Sequence, residues 1–229
     1  MRRVLTLWGS TVGKKILMAS TGVILILFVI GHMVGNLKIY MGPEAFNHYA
    51  EGLRTFGAPF FARGQLLWLI RLVLIACVLV HIIAAVQLWL RSRAARPVGY
   101  RKYEVDELVF SNASRTMFWG GLALGFFVVF HLMHLTWGTV HPDFIPGDAY
   151  HNFVRGFQSV PVSLAYSAAM ILLGLHLYHG IWSMLQTLGA NNDKYNHVRR
   201  PVAGIIALLV TLGNISFPVA VLTGLVKLG

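Results

Sequence analysis

Apolar positions in this chain fall into five long runs, not into alternating or short amphipathic patterns. The runs cover about 16–36, 66–90, 117–138, 161–185 and 202–226. The hydrocarbon core of a bilayer takes roughly 20 residues of helix, and all five runs reach that length. Charged residues gather between the runs. The pattern predicts an all-α integral membrane protein: five transmembrane helices, short loops, and one membrane domain spanning 1–229. The loop at about 37–65 is long enough for a short interfacial helix. The first run exceeds the roughly 7–15 apolar residues of a signal-peptide core and is closed by no small-residue cleavage site, so it is expected to stay as a span.

Composition agrees with the pattern. Hydrophobic residues make up 56% of the 229 positions and charged residues only 12%, where soluble domains carry about 25% charged. The mean hydropathy is +0.65. The single cysteine, Cys77, excludes an intrachain disulfide and any cysteine-held cluster. A small buried apolar residue is its simplest reading.

The net charge of +11 changes the picture only through its distribution. Basic residues cluster at the N-terminus (Arg2, Arg3, Lys14, Lys15), in the second loop and the start of the third span (Arg91, Arg93, Arg96, Arg101, Lys102, Arg115), and around Lys194, Arg199 and Arg200. The alternate loops, about 37–65 and 139–160, hold only Lys38, Arg54, Arg63 and Arg155. This is the positive-inside asymmetry, not a nucleic-acid footprint. It places the N-terminus on the cytoplasmic side and, with five spans, the C-terminus outside. Glu44, Glu51 and Asp148 fall in the outer loops, where solvent exposure is the simple expectation.

Six of the ten histidines lie within the runs: His32, His81, His131, His134, His176 and His179. Ionisable residues inside a membrane are costly and are functional candidates by default. Counting from the helix starts, His32, His81 and His131 each lie about 16 residues in, and His179 about 18. That is roughly 24–27 Å from where each helix enters. Because the first and third spans enter from inside, and the second and fourth from outside, the histidines fall at two levels. His32 and His131 share the outer level, and His81 and His179 the inner one. Each level has the two imidazoles that a b-type haem takes as axial ligands, and such a haem fits between helices of a bundle. The expected architecture is a haem-binding four-helix bundle plus a fifth helix, holding two haem b. His134 and His176 lie three residues from His131 and His179, on nearly the same helix faces. Spacing alone therefore leaves each choice open, and the residue not used is a candidate contact to a propionate or a quinone. Arg71, well inside the second span, and Ser114 with Arg115, at the inner end of the third, are candidates for the same role. Gly31, Gly35, Gly174 and Gly180 near these histidines offer clearance for a macrocycle, although small residues also serve plain helix packing.

At this point the residues resemble the single-chain, five-helix, dihaem cytochrome b subunit of succinate dehydrogenase and fumarate reductase. The resemblance runs along nearly the whole chain. Its carriers are Ser10-Thr11-Val12-Gly13-Lys14-Lys15, Ala19-Ser20-Thr21-Gly22, Gly31-His32-Met33, Gly35-Asn36 and Phe46-Asn47-His48-Tyr49-Ala50. His81 before the basic loop, Tyr100-Arg101-Lys102, Ser114-Arg115-Thr116-Met117, the stretch Phe130 to Thr136 and His176-Leu177-Tyr178-His179-Gly180 complete it. The resemblance implies axial ligands from the first and third spans for one haem and from the second and fourth for the other. Its motif positions favour His131 over His134 and His179 over His176. It also implies a bacterial cytoplasmic membrane, an FAD-containing flavoprotein subunit that oxidises succinate, an iron–sulfur subunit docked on the inner face, and menaquinone as acceptor. The chain itself then holds no succinate site and is the non-flavin subunit of the enzyme. One departure stands out: where some members carry a carboxylate in the fourth span, this chain has Leu177 and Tyr178, which puts a comparable proton path in doubt. A dihaem anchor of a hydrogenase or formate dehydrogenase is the nearest alternative. A transporter using intramembrane histidines is a more distant one, since no carboxylate lies mid-span.

Overall fold

The computed structural model of the chain describes residues 8–95, 108–190 and 192–229, with side chains described outside 108–116 and 193–196. Among the described residues seven α-helices of nine residues or more follow one another: α1 (Thr11–Asn36), α2 (Pro43–Thr55), α3 (Gln65–Ala94), α4 (Leu108–His131), α5 (Ala149–Phe157), α6 (Val160–Thr187) and α7 (Asp193–Leu222). A 3-10 turn, Leu37–Met41, extends α1, and a π-helical turn, Leu132–Thr136, extends α4. No strand occurs among the described residues. Helices α1, α3, α4, α6 and α7 are long and apolar enough to cross a membrane. The protein is an all-α integral membrane protein, as its five apolar runs predict. Many large apolar side chains, such as Leu27, Leu72, Phe126 and Leu209, stand exposed on these helices. Exposed apolar surface on that scale suits hydrocarbon and not water.

Helix boundaries differ from the apolar runs where polar residues carry a helix beyond the lipid. Helix α1 starts at Thr11, because Ser10 Oγ accepts a hydrogen bond from the backbone N–H of Gly13 at 2.9 Å, a side-chain N-cap. Helix α7 starts at Asp193, well before the apolar run at 202, so Pro201 lies inside the helix and does not open it. The loop long enough for a short helix contains one, α2. Helix α5 lies in a segment whose Pro, Gly and aromatic content gave no helical pattern. Asp148 caps it, accepting from His151 N–H at 2.9 Å.

The chain divides into two compact units. The first comprises Met1–Leu27, Leu74–Leu122 and Leu175–Ala207. Within it the start of α1 is tied to the end of α3. Arg91 donates to Gly9 O at 3.0 Å and Thr11 Oγ1 at 3.4 Å, and Lys14 donates to Gln87. Trp89 of α3 stacks on Phe118 of α4, with ring centroids 4.1 Å apart. The second unit comprises Phe28–Val73, Ala123–Gly174 and Leu208–Gly229. Its core gathers Ile39, Phe46, Phe153, Val154, Phe157, Tyr166 and Phe217. Asn47 joins α2 to the start of α5: its Nδ2 donates to Asp148 Oδ1 at 2.9 Å and its Oδ1 accepts from Tyr150 N–H at 2.8 Å. The Tyr49 hydroxyl lies over Gly35, so close that any Cβ there would collide with it.

Candidate haem sites

In the second unit, His32 of α1 and His131 of α4 bring their rings together, with centroids 5.9 Å apart and planes at 86°. One helical turn before each histidine stands a phenylalanine. Phe28 stacks on His32 at 5.4 Å, and Phe127 lies 6.0 Å from His131. The i,i+4 spacing puts each pair on one helix face. His131 Nδ1 lies 3.3 Å from the Tyr166 hydroxyl, which leaves Nε2 as its unengaged nitrogen.

In the first unit, the ring facing His81 belongs to His176, with centroids 6.2 Å apart and planes at 57°. This departs from the expectation that His179 partners His81. The ring of His179 lies instead against Trp182 at 6.0 Å. Three residues along an α-helix leave two side chains about 60° apart around the axis, enough for one histidine to face a partner and the other to miss it. His81 Nδ1 sits 3.2 Å from Met18 O and 3.3 Å from Thr21 Oγ1. Because Thr21 donates its own proton to Leu17 O at 2.8 Å, both neighbours act as acceptors toward His81. Nδ1 therefore carries the ring proton, and Nε2 keeps its lone pair for a metal. Gly22 backs the His81 ring and Gly121 the His176 ring, at distances that a methyl group would just fill. The Nδ1 atoms of His176 and His179 are buried without a hydrogen-bond partner.

The remaining candidates divide. His134 is 2% exposed and lies within hydrogen-bond reach of Tyr166. Half-buried Arg71 holds its guanidinium 5.0 Å from the centre of the Trp68 ring. The side chains of Ser114 and Arg115 lie outside the described residues, as do Tyr100, Arg101 and Lys102 of the basic loop. Of the three carboxylates singled out in the loops, Glu44 is exposed, but Glu51 and Asp148 are engaged. Glu51 pairs with Arg63 at 2.7 Å and Arg54 at 3.1 Å, and the hydrogen bonds from these arginines hold its carboxyl below the usual range. For Asp148, burial pushes the carboxyl up, but bonds from His151 N–H and the Asn47 side chain more than offset it.

Sequence reasoning missed Tyr166, Phe28 and Phe127. The only available signals were a phenol in an otherwise apolar span and the repeated Phe-x-x-x-His spacing.

The chemistry of these pairs suits haem. Two imidazoles bound through nitrogen at about 2 Å on opposite sides of one iron have ring centroids about 6 Å apart. Both observed separations match that value. Rotating one ring about the common axis leaves it axial, so the two different interplanar angles are equally compatible. A bare transition-metal ion needs further protein donors, yet among the described residues no group of three or more His, Cys, Asp or Glu is placed to hold one. A porphyrin supplies the four equatorial nitrogens itself and asks the protein for only two. Compared with known proteins, the chain matches no family model, no curated protein and no solved structure.

Proposed function

We propose that this chain is the membrane-anchor cytochrome b of a succinate:quinone oxidoreductase. It binds two b-type haems, one between His32 and His131 and one between His81 and His176. When bound, a bis-histidine haem b supplies one-electron transfer, with no coordination position left for oxygen or substrate. The observation that supports haem binding is the pair of imidazole–imidazole separations, 5.9 and 6.2 Å; the succinate assignment rests on the sequence resemblance.

The chain's own residues do the holding and orienting. His81 is fixed by the Met18 carbonyl and Thr21, so its Nε2 lone pair is aimed before a metal arrives. Phe28 and Phe127 flank His32 and His131 with apolar surface one helical turn away. Arg71 in the second unit, and Ser114 with Arg115 at the start of α4, are the cations and donors assigned to haem propionates. His179 is half-buried, without a hydrogen-bond partner at Nδ1, and is assigned as a polar contact for a propionate or a menaquinone oxygen. The positively charged N-terminal side is assigned to the cytoplasm, where an iron–sulfur subunit carrying an FAD-containing flavoprotein docks. Menaquinone is the assigned acceptor.

The test is a reduced-minus-oxidised spectrum of the chain purified from haem-replete cells. The expected result is a b-type α-band and two haems per chain. Absence of that band sinks the proposal. Co-purification with a hydrogenase or formate dehydrogenase subunit, in place of a flavoprotein, keeps the haems and overturns the succinate assignment.

A further inference from the structure

Tyr166 of α6 is 5% exposed and caged by aromatic rings. Its ring meets Phe157 at 4.8 Å, Phe127 at 5.0 Å and Phe130 at 5.9 Å, each steeply inclined to it. The hydroxyl therefore has a fixed position. It lies 3.3 Å from His131 Nδ1 and 3.0 Å from His134 Nδ1. A phenol has one proton to give, so it donates to at most one of these nitrogens and must accept from any other bonded to it. A histidine bound to iron through Nε2 carries its proton on Nδ1. Resting on the haem reading above, this fixes the polarity: His131 Nδ1–H donates to Tyr166 oxygen, and Tyr166 O–H donates to His134 Nδ1.

His134 is held ready to accept. Its ring is clamped between Phe130, at 5.5 Å and 7°, and His141, at 4.9 Å and 25°. Gly156 leaves it room, since a Cβ there would come within 2.7 Å of His134 Cε1. His141 is pinned in turn: its Nδ1 accepts from Asp143 N–H at 3.2 Å and its Nε2–H donates to Asn152 O at 2.9 Å. The π turn that carries His134 lets two histidines three residues apart address one phenol.

We propose that Tyr166 is a positioning residue that sets the electron-donating strength of His131 through this directed chain. An acceptor drawing on the Nδ1 proton makes an axial imidazole a better donor and favours ferric iron. His134 is then the outer end of the chain and not a rival ligand.

The test compares Tyr166→Phe with the unaltered chain by redox titration and by electron paramagnetic resonance of the oxidised haems. The haem lost in His32→Leu is expected to become at least threefold easier to reduce, a shift of about 28 mV upward at about 59 mV per tenfold for one electron, with an altered ferric signal. The haem lost in His81→Leu is expected to be unmoved, and both haems are retained. Replacing Tyr166 by 3-fluorotyrosine keeps the ring and hydroxyl but weakens the oxygen as an acceptor, so a smaller shift in the same sense is expected. If Tyr166→Phe holds both haems at unchanged potentials, the proposal fails while the haem reading stands. If Tyr166→Phe does not fold, an unmoved potential in the fluorotyrosine chain overturns the proposal equally. An unaltered chain without b haem overturns both.

Discussion

The choice between His176 and His179 turns on a single ring. The Gly that follows His179 makes it the motif-like residue, whereas the ring standing 6.2 Å from His81 is that of His176. On the proposed haem reading, truncating an axial ligand would leave iron with one protein bond and release the haem, whereas truncating a neighbour would not. His81→Leu and His176→Leu are therefore expected to lose the same haem, and His179→Leu to keep both, as counted by haem content and low-temperature spectra. Loss in His179→Leu with retention in His176→Leu would restore the motif-based choice. The candidate histidines themselves were legible in the sequence, because a polar ring in an apolar run stands out. Which of two neighbours faces the partner was not, because it depends on helix rotation, which no residue spacing records. Tyr166 was illegible for a related reason: a phenol in a span reads as apolar until its hydroxyl is seen between two imidazoles.

Among the elements, the two short helices show what periodicity can and cannot reveal. The loop before α3 announced a helix by its length, and α2 fills it. Helix α5 was hidden in a Pro- and Gly-containing stretch, because its stability comes from packing and capping more than from propensity. Phe153, Val154 and Phe157 are buried in the core of the second unit, and Asp148 caps the first turn. Asn47 supplies both a donor and an acceptor to that cap region. Asn47→Ala removes one acceptor from the Tyr150 N–H and one donor from Asp148, at a cost of about 1–3 kcal/mol. Hydrogen exchange across residues 149–157 is expected to quicken by roughly tenfold for each 1.4 kcal/mol lost, with α3 unaffected. Unchanged protection would mean that packing alone holds α5. The π turn at Leu132–Thr136 was equally out of reach, since a single wide turn leaves no trace in hydrophobic periodicity. At its end the Trp137 N–H reaches back five residues to Leu132 O, at 2.9 Å.

For the whole molecule, span number and charge bias were the most legible features, because bilayer thickness sets a length that any apolar run must meet. Five crossings with a basic N-terminal side give a definite expectation. In a Cys77→Ser background, cysteines placed at Phe60 and Ile145 are expected to react with an impermeant thiol reagent applied to right-side-out vesicles. Cysteines placed at Arg93 and Asn192 are expected to react only after permeabilisation. Labelling of all four from one side would overturn the alternating topology. What composition could not reveal was how far helices continue past the lipid. Helix α7 begins at Asp193 among polar residues that carry no membrane signal, and it accommodates Pro201 in passing.

The Asn47 link also bears on the order of events during synthesis. Its partners, Asp148 and Tyr150, lie about a hundred residues downstream, beyond two complete crossings, α3 and α4. An even number of crossings returns the chain to the side it left, so the link cannot close if one of the two spans is skipped. Until the ribosome has delivered residue 150, Asn47 lacks both of these partners. The Asn47 link is thus a contact that forms late, once the chain between has returned to the side it left.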